Sequence, residues 1–383
     1  MRIALVDVVR QFRTIEAEVR RALERVLENG DYVMGEDVAA FEQEFAQFCG
    51  ASHAVAVSSG TDALVLALRA LDIGPGDEVV TVPFTFAATV EAIVTVGARP
   101  VFVDVDRNTA LLDPQQLAKV ITARTRAIIP VHLYGFPCDM DAICEIGRRR
   151  GLRIVEDASQ AHGAEFGGRR VGAIGDIGCF SFYPGKNIGA FGEAGAVVTQ
   201  HAELADRIRL MRNHGSADKY HHVRLGWNCR MDTLQAAILR VKLRHLERWN
   251  EARRQVAHNY TRRLGVVDGL GLPPPCVYGR PVFHLYVVRV PWRDQLREYL
   301  AQRGIATGVH YPIPLHLQEA FAELGHKAGD FPVSEEWAGK VLSLPTFPEL
   351  EDSEIAYVAE ALRAGLTALG ASSRGAERRT NDE

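Results

Sequence analysis

The sequence predicts an α/β protein, with a large domain on a mostly parallel sheet and a smaller C-terminal α+β domain behind it. Three observations carry this reading. Short β-branched runs at 54–57, 79–82, 101–105, 127–131 and 153–155 alternate with helical segments of about ten residues. Such alternation calls for parallel strands whose crossover helices cover both faces of one sheet. Near residue 245 the character changes: a charged helix expected over 243–264 leads into Pro273-Pro274-Pro275. A strand at 283–290, a helix at 294–303, an extended stretch at 307–311 and closing helices follow. Finally, 383 residues exceed one small core and suit two domains of roughly 100–200 residues each. The expected division is 1–245, 246–369 and a small, polar, disordered tail at 370–383.

The elements before the sheet are helical. Ile15, Val19, Leu23, Val26 and Leu27 form one face of a helix expected to begin at Thr14 and end at Gly30. Val38, Phe41, Phe45 and Phe48 mark a second, stopped by Gly50. Asp7 and Arg10 interrupt the apolar start of the chain and no small-residue cleavage site follows, so no secretory signal is expected. Nor does any apolar run approach the ~20 residues of a membrane span. These features give the expectation of a soluble, cytoplasmic protein. A net charge of −4 leaves no basic footprint for nucleic acid. The six cysteines are scattered without a C-x-x-C pair, so no metal site is expected.

In an open parallel sheet, ligands meet the carboxyl ends of the strands. Three segments there carry chemistry. Ser58-Ser59-Gly60-Thr61-Asp62 follows a strand and opens an apolar helix, and free N–H groups at a helix start suit a phosphate. The same residues also fit an ordinary turn capped by Ser59 or Thr61. Asp157 closes a strand, where its carboxylate could pair with a protonated pyridine nitrogen or simply cap a helix. Gln160 lies one helical turn further on. Lys186 follows an apolar strand end among Pro184, Gly185, Gly189, Gly192 and Gly195, a glycine density that suggests backbone packed closely around a ligand. A lysine held in such a pocket would have a lowered pKa, as Schiff-base chemistry requires. Together the three meet the needs of pyridoxal 5'-phosphate: a phosphate seat, an acid for the ring nitrogen and a Schiff-base lysine.

The motifs SSGTDAL, PFTFAAT, VEDASQAHGA, SFYPGKNIGAFGEAGA, GWNCRMDTLQAA, HLY, HYPIPLH and LSLPTFP run through nearly the whole chain. The sequence resembles the DegT/DnrJ/StrS family of nucleotide-sugar aminotransferases. That resemblance implies the fold type I architecture, with a mostly parallel seven-stranded sheet and a smaller C-terminal domain. It implies that Gly60, Thr61 and Ser181 bind the cofactor phosphate and that Phe86 stacks on the pyridine ring. It assigns Asp157 to the ring nitrogen, Gln160 to the ring hydroxyl, and Lys186 to the Schiff base and the proton shuttle. Asn228 would reach the phosphate from a neighbouring subunit, making the enzyme a homodimer with shared active sites. His310, Tyr311, Tyr183, Tyr220, His222 and Arg230 would meet the substrate, and His162 would pack beneath the cofactor. The implied reaction moves an amino group, with glutamate the expected donor, through pyridoxal and pyridoxamine phosphate to a nucleotide-linked keto sugar in amino-sugar biosynthesis.

Alternatives differ at single residues. A sugar dehydratase of this family lacks the lysine and usually has histidine there, whereas Lys186 is present. A non-catalytic regulatory homologue has no need of Lys186, Asp157 and Gln160, and no basic stripe accompanies them. A nicotinamide dehydrogenase needs G-x-G-x-x-G after its first strand, which Ser58–Ala63 does not supply. Tyr183-Pro184-Gly185-Lys186-Asn187 resembles members that aminate a 3-keto rather than a 4-keto hexose.

Overall fold

The computed structural model describes residues 1–265 and 267–380, the side chains of 371–380 aside. Helices α1 (Val8–Asn29) and α2 (Glu36–Cys49) come first. There follow β1 (His53–Val57), α3 (Gly60–Ala70), β2 (Glu78–Thr81), α4 (Ala87–Thr95), β3 (Arg99–Phe102) and α5 (Pro114–Val120). Next are β4 (Thr125–Ile128), α6 (Met140–Arg150), β5 (Arg153–Asp157) and a short hairpin, β6 (Glu165–Phe166) with β7 (Arg169–Arg170). The large domain closes with β8 (Ile177–Ser181), β9 (Gly195–Thr199), α7 (Ala202–Arg212) and α8 (Thr233–Leu243).

Seven strands make one sheet in the order β1-β9-β8-β5-β4-β2-β3. Only β9 runs against its neighbours; the pairs from β8 to β3 are all parallel. Successive side chains feed opposite faces. Val79 and Cys179 join the apolar cluster on one side, and Val80 and Phe180 join the cluster on the other. Both faces are therefore dry, which is why these strands read as continuous apolar runs.

The remaining elements are α9 (Leu246–Leu264), β10 (Gly279–Arg280), β11 (Tyr286–Arg289), α10 (Arg293–Ala301), α11 (Pro332–Lys340), β12 (Val341–Leu344) and α12 (Asp352–Thr380). β11 and β12 pair antiparallel, and a third cluster of Tyr260, Tyr286, Leu296, Leu344 and Leu362 packs around them. Two details depart from a division at residue 245. Leu246 and Trp249, at the start of α9, pack with large-domain residues, while Val256 and Tyr260 turn to the third cluster. Ile3 also belongs to that cluster: its N–H donates to Gly304 and its carbonyl accepts from Ala306.

Three element boundaries differ from the sequence reading. α1 begins at Val8 rather than Thr14, because the Asp7 carboxylate accepts the Arg10 N–H at 2.8 Å and caps the helix early. Its Ile15, Val19 and Val26 are buried as expected, but Leu27 is exposed. The helix expected over 243–264 ends at Leu264 as expected but starts at Leu246, because α8 ends at Leu243 and a turn at 244–245 separates the two. The segment from 370, expected to be disordered, continues α12 as helix to Thr380. An established helix propagates through alanine, glutamate and arginine at little cost per residue. Residues 381–383 of that expected tail lie outside the described residues.

Candidate active site

The carboxyl ends of β1, β2, β5 and β8 open on one edge of the sheet, beside the segment around His310. A cavity of about 710 Å³ lies there. It is lined by Gly60, Thr61, Phe86, Asp157, Gln160, Ser181, Tyr183, Lys186, His310 and Tyr311. A cavity of about 430 Å³ at the opposite ends of β2 and β3, around Glu78, Arg99 and Arg124, holds none of these groups.

The turn from β1 into α3 is built by serines. The Ser58 and Ser59 hydroxyls donate to Asp62 Oδ2 at 2.6 and 2.8 Å, and Ser59 Oγ accepts the Asp62 N–H at 3.0 Å. Ser59 is thus the helix cap, one of the two roles open in the sequence. Capping and ligand binding are compatible here, because the cap uses the Asp62 N–H. The N–H groups of Gly60 and Thr61 have no acceptor among the described residues and open the positive end of the helix at the cavity. Ser181, at the end of β8, stands directly against Gly60.

The glycines around Lys186 do something other than expected. A Cβ on Gly195 would lie 2.3 Å from the Ser59 carbonyl oxygen, and one on Gly189 would lie 2.3 Å from the Pro184 carbonyl oxygen. Backbone packs on backbone at these positions, while Gly185, beside the lysine, has room for a side chain. The density of glycine therefore draws the lysine loop against β1 and onto itself.

Asp157 is buried at the end of β5. No helix follows it, so it is not a helix cap; residues 158–164 form turns, and Gln160 sits on one of them rather than a helical turn away. The Asp157 carboxylate accepts Thr89 Oγ1–H at 2.8 Å and the Ser159 N–H at 3.2 Å.

Lys186 sits in a turn closed by its own N–H to the Tyr183 carbonyl at 2.9 Å. Two buried anchors hold the loop. Asn187 Nδ2 donates to Asn250 Oδ1 at 2.8 Å and to the Val282 carbonyl at 3.0 Å, and Lys242 Nζ donates to the Gly189 carbonyl at 2.6 Å. The Lys186 side chain is partly open to the cavity, yet protein surrounds its amine. That desolvation lowers its pKa from 10.5 to about 8, and the opposing effect of the Asp157 charge is smaller. The amine thus loses its proton around pH 8 rather than 10.5.

Gln160 is held at both ends: Oε1 accepts the Tyr134 N–H at 2.7 Å, and Nε2 donates to Tyr311 Oη at 3.0 Å. The Tyr311 ring leans toward Phe86, with ring centres 5.9 Å apart. His310 Nδ1 meets Ser343 Oγ at 2.8 Å, and its carbonyl accepts the Tyr134 hydroxyl. Burial, then the charge of Lys186, lowers the His310 pKa to about 4, so its ring is neutral at working pH. His162 packs between Phe180 and Phe182, fully buried, and does not line the cavity.

The sequence reading missed several lining residues, namely Thr85, Ser159, Glu193 and His284. Burial first, and then the Lys186 and Arg253 charges, hold His284 well below the ordinary imidazole value. A signal for His284 existed in HLY, a polar residue opening an apolar strand. Thr85 and Thr89 stand four apart in PFTFAAT, Thr85 just before α4 and Thr89 on its first turn, so their spacing is a signal for a hydroxyl pair beside Phe86.

Asn228, Arg230, Tyr220 and His222 are not among the residues lining the cavity of their own chain. Asn228, Tyr220 and His222 are exposed. Arg230 Nε donates to Asn228 Oδ1 at 2.9 Å, and His222 Nδ1 lies 3.0 Å from Ser216 Oγ. The same loop exposes Leu225 by 88% and Trp227 by 39%.

An amine of lowered pKa facing a carboxylate, at the carboxyl edge of a sheet with this strand order, places the protein among the fold type I enzymes. More narrowly, it belongs to the DegT/DnrJ/EryC1/StrS aminotransferase family, which matches residues 13–363. It is 48% identical over 362 residues to dTDP-3-amino-3,4,6-trideoxy-alpha-D-glucose transaminase of Streptomyces venezuelae, covering 94% of this chain and 96% of that one. It is 46% identical over 365 residues to UDP-N-acetyl-3-dehydro-alpha-D-glucosamine 3-aminotransferase of Acidithiobacillus ferrooxidans, covering 95% and 98%. The crystal structure of DesV from S. venezuelae in complex with a ketimine intermediate superposes with a TM-score of 0.93 at 48% identity, covering 95% and 98%.

Proposed function

We propose that this protein transfers the amino group of an amino acid, with glutamate the expected donor, to a 3-keto hexose carried on a nucleotide, using pyridoxal phosphate. The observation that carries the reading is Lys186, an amine of lowered pKa that shares one cavity with Asp157 and the open start of α3. Both relatives named above act at position 3 of a nucleotide-linked sugar, one on a dTDP and one on a UDP compound. Their agreement supports the 3-keto position and leaves the choice of nucleotide to experiment.

The donor set fits the cofactor. The unengaged N–H groups of Gly60 and Thr61, with the Ser181 hydroxyl, would hold a phosphate dianion. Asp157 would keep a proton on the ring nitrogen, Gln160 would meet the ring hydroxyl and Phe86 would cover one ring face. The cofactor, when bound, supplies an electron sink that lets the α-hydrogen of an amino acid leave as a proton. Lys186 Nζ is the group placed to carry that proton. Tyr183, His310 and Tyr311 line the same cavity, and Tyr183, which is exposed, would meet an entering sugar. His310 and His284, both neutral, would offer hydrogen bonds there without adding charge beside Lys186.

The site would be completed by a second copy of the chain. Asn228, with Tyr220, His222 and Arg230, would reach the neighbour's cavity, and the exposed Leu225 and Trp227 would be covered there. No helix among the described residues is long and apolar enough to cross a membrane. A cytoplasmic location remains part of this proposal. The direct test offers a panel of dTDP- and UDP-linked 3-keto and 4-keto hexoses with glutamate. Aminated 3-keto product detected by mass supports the reading, and product only from 4-keto sugars would overturn the position.

A further inference from the structure

We infer that Thr89 is a positioning residue for Asp157, and that a Thr85–Thr89–Asp157 hydroxyl chain sets how that carboxylate meets its ligand. The inference rests on the cofactor reading above, in which Asp157 faces the ring nitrogen.

The Asp157 backbone is already fixed. Its N–H donates to the Pro130 carbonyl at 2.9 Å, and its carbonyl accepts the His132 N–H at 3.0 Å. Only the side-chain torsions remain. Oδ1 has a long bond, 3.2 Å from the Ser159 N–H, whereas Oδ2 has the 2.8 Å bond from Thr89 Oγ1. Thr89 therefore does most to choose the carboxylate's orientation.

The direction of each bond follows from proton counting. An ionised carboxylate only accepts, and a threonine hydroxyl has one proton to give. Thr89 gives its proton to Asp157, so the 3.2 Å contact between Thr85 Oγ1 and Thr89 Oγ1 is donated by Thr85. Thr89 is fully buried away from the cavity, so water does not stand in for its hydroxyl; Thr85, 2% exposed, lies between it and the cavity edge. Thr89 is not a lining residue and acts from behind Asp157. A hydroxyl donating to a carboxylate favours its charged form, and a chain of two polarises the inner bond further. The consequence is a carboxylate held in one orientation, in which it would face the ring nitrogen.

The test uses holoenzyme carrying Thr89→Val, Thr89→Ser, Thr85→Val or Asp157→Asn, each loaded with pyridoxal phosphate labelled at the ring nitrogen. In Thr89→Val the labelled resonance should move toward that of neutral pyridine, and kcat should fall about 10-fold, the size expected on losing one bond to a charged group. Thr89→Ser should restore both. Thr85→Val should shift the resonance in the same direction by less, and it decides the matter if Thr89→Val does not fold. An unchanged resonance in folded Thr89→Val, or in Thr85→Val, would reduce Thr89 to core packing and overturn the inference. A wild-type resonance that is already neutral, or that ignores Asp157→Asn, would instead overturn the cofactor reading and the inference with it.

Discussion

Gly60 and Ser181 approach so closely that a Cβ on residue 60 would stand 2.6 Å from the Cβ of Ser181. One opens α3 and the other ends β8, so two distant segments form a single concave seat. Gly60→Ala must push them apart. Its affinity for pyridoxal phosphate, measured by equilibrium dialysis, should fall about 10-fold or more, since each tenfold is about 1.4 kcal/mol. The melting temperature should drop as well. Adding Ser181→Gly to Gly60→Ala removes the 2.6 Å contact, leaves the tight 3.1 Å approach to the residue 181 Cα, and should recover part of the stability, while affinity stays low because the hydroxyl is gone. Full affinity in Gly60→Ala would show that the seat lies elsewhere.

Asp157→Asn keeps the shape of the side chain and removes its charge. Turnover should fall on the order of 10²-fold or more, with the cofactor still bound covalently, because the ring nitrogen loses the anion that keeps it protonated. Near-normal turnover would leave Asp157 a purely structural residue.

The Lys186 amine predicts the pH dependence of cofactor capture by the apoprotein. Only the unprotonated amine attacks an aldehyde. Burial lowers its pKa to about 8, so the capture rate should rise with pH through a midpoint near pH 8 rather than 10.5. Asp157 works against that lowering, so Asp157→Asn should move the midpoint to lower pH. Stopped-flow absorbance over a pH series measures both. A wild-type midpoint near 10.5 would mean the amine is not desolvated. The same shift makes the apoprotein gain stability as pH rises from about 8 toward 10.5, where the unfolded lysine still binds a proton that the folded one has released.

Much of this was legible in the residues. Parallel β-α alternation is a local signal, written in short apolar runs and helix starts; Asp157 stands out at the end of β5 and Lys186 in the glycine-rich turn after β8. The boundary inside α9 was not legible, because a helix that serves two cores carries one continuous amphipathic pattern. Ile3 was hidden for the opposite reason, since its partners around residue 305 lie at the far end of the chain. Thr89 touches Asp157 only after α4 and β5 are folded side by side, and a threonine on a helix's first turns reads as ordinary surface chemistry. The glycines near Lys186 were correctly seen as close-packing, but what packs there is backbone, which spacing cannot distinguish from a ligand.

A shared site has its own genetic signature. Lys186→Ala protein and Asn228→Ala Arg230→Ala protein should each be inactive. Mixed under conditions of subunit exchange, they should regain activity, because one site in each mixed dimer has an intact lysine and an intact loop from its neighbour. Persistent inactivity with exchange demonstrated by mass would assign the loop to its own chain.

The central claim is that Lys186 holds the cofactor, and covalent trapping tests it most directly. Purified holoenzyme is reduced with borohydride, digested, and its peptides sequenced by mass spectrometry. The expected result is one modified peptide containing Tyr183-Pro184-Gly185-Lys186-Asn187, with the added mass on Lys186 and colour lost in step with its formation. Cofactor mass on Lys242 or any other lysine, with the Lys186 peptide unmodified, would contradict it.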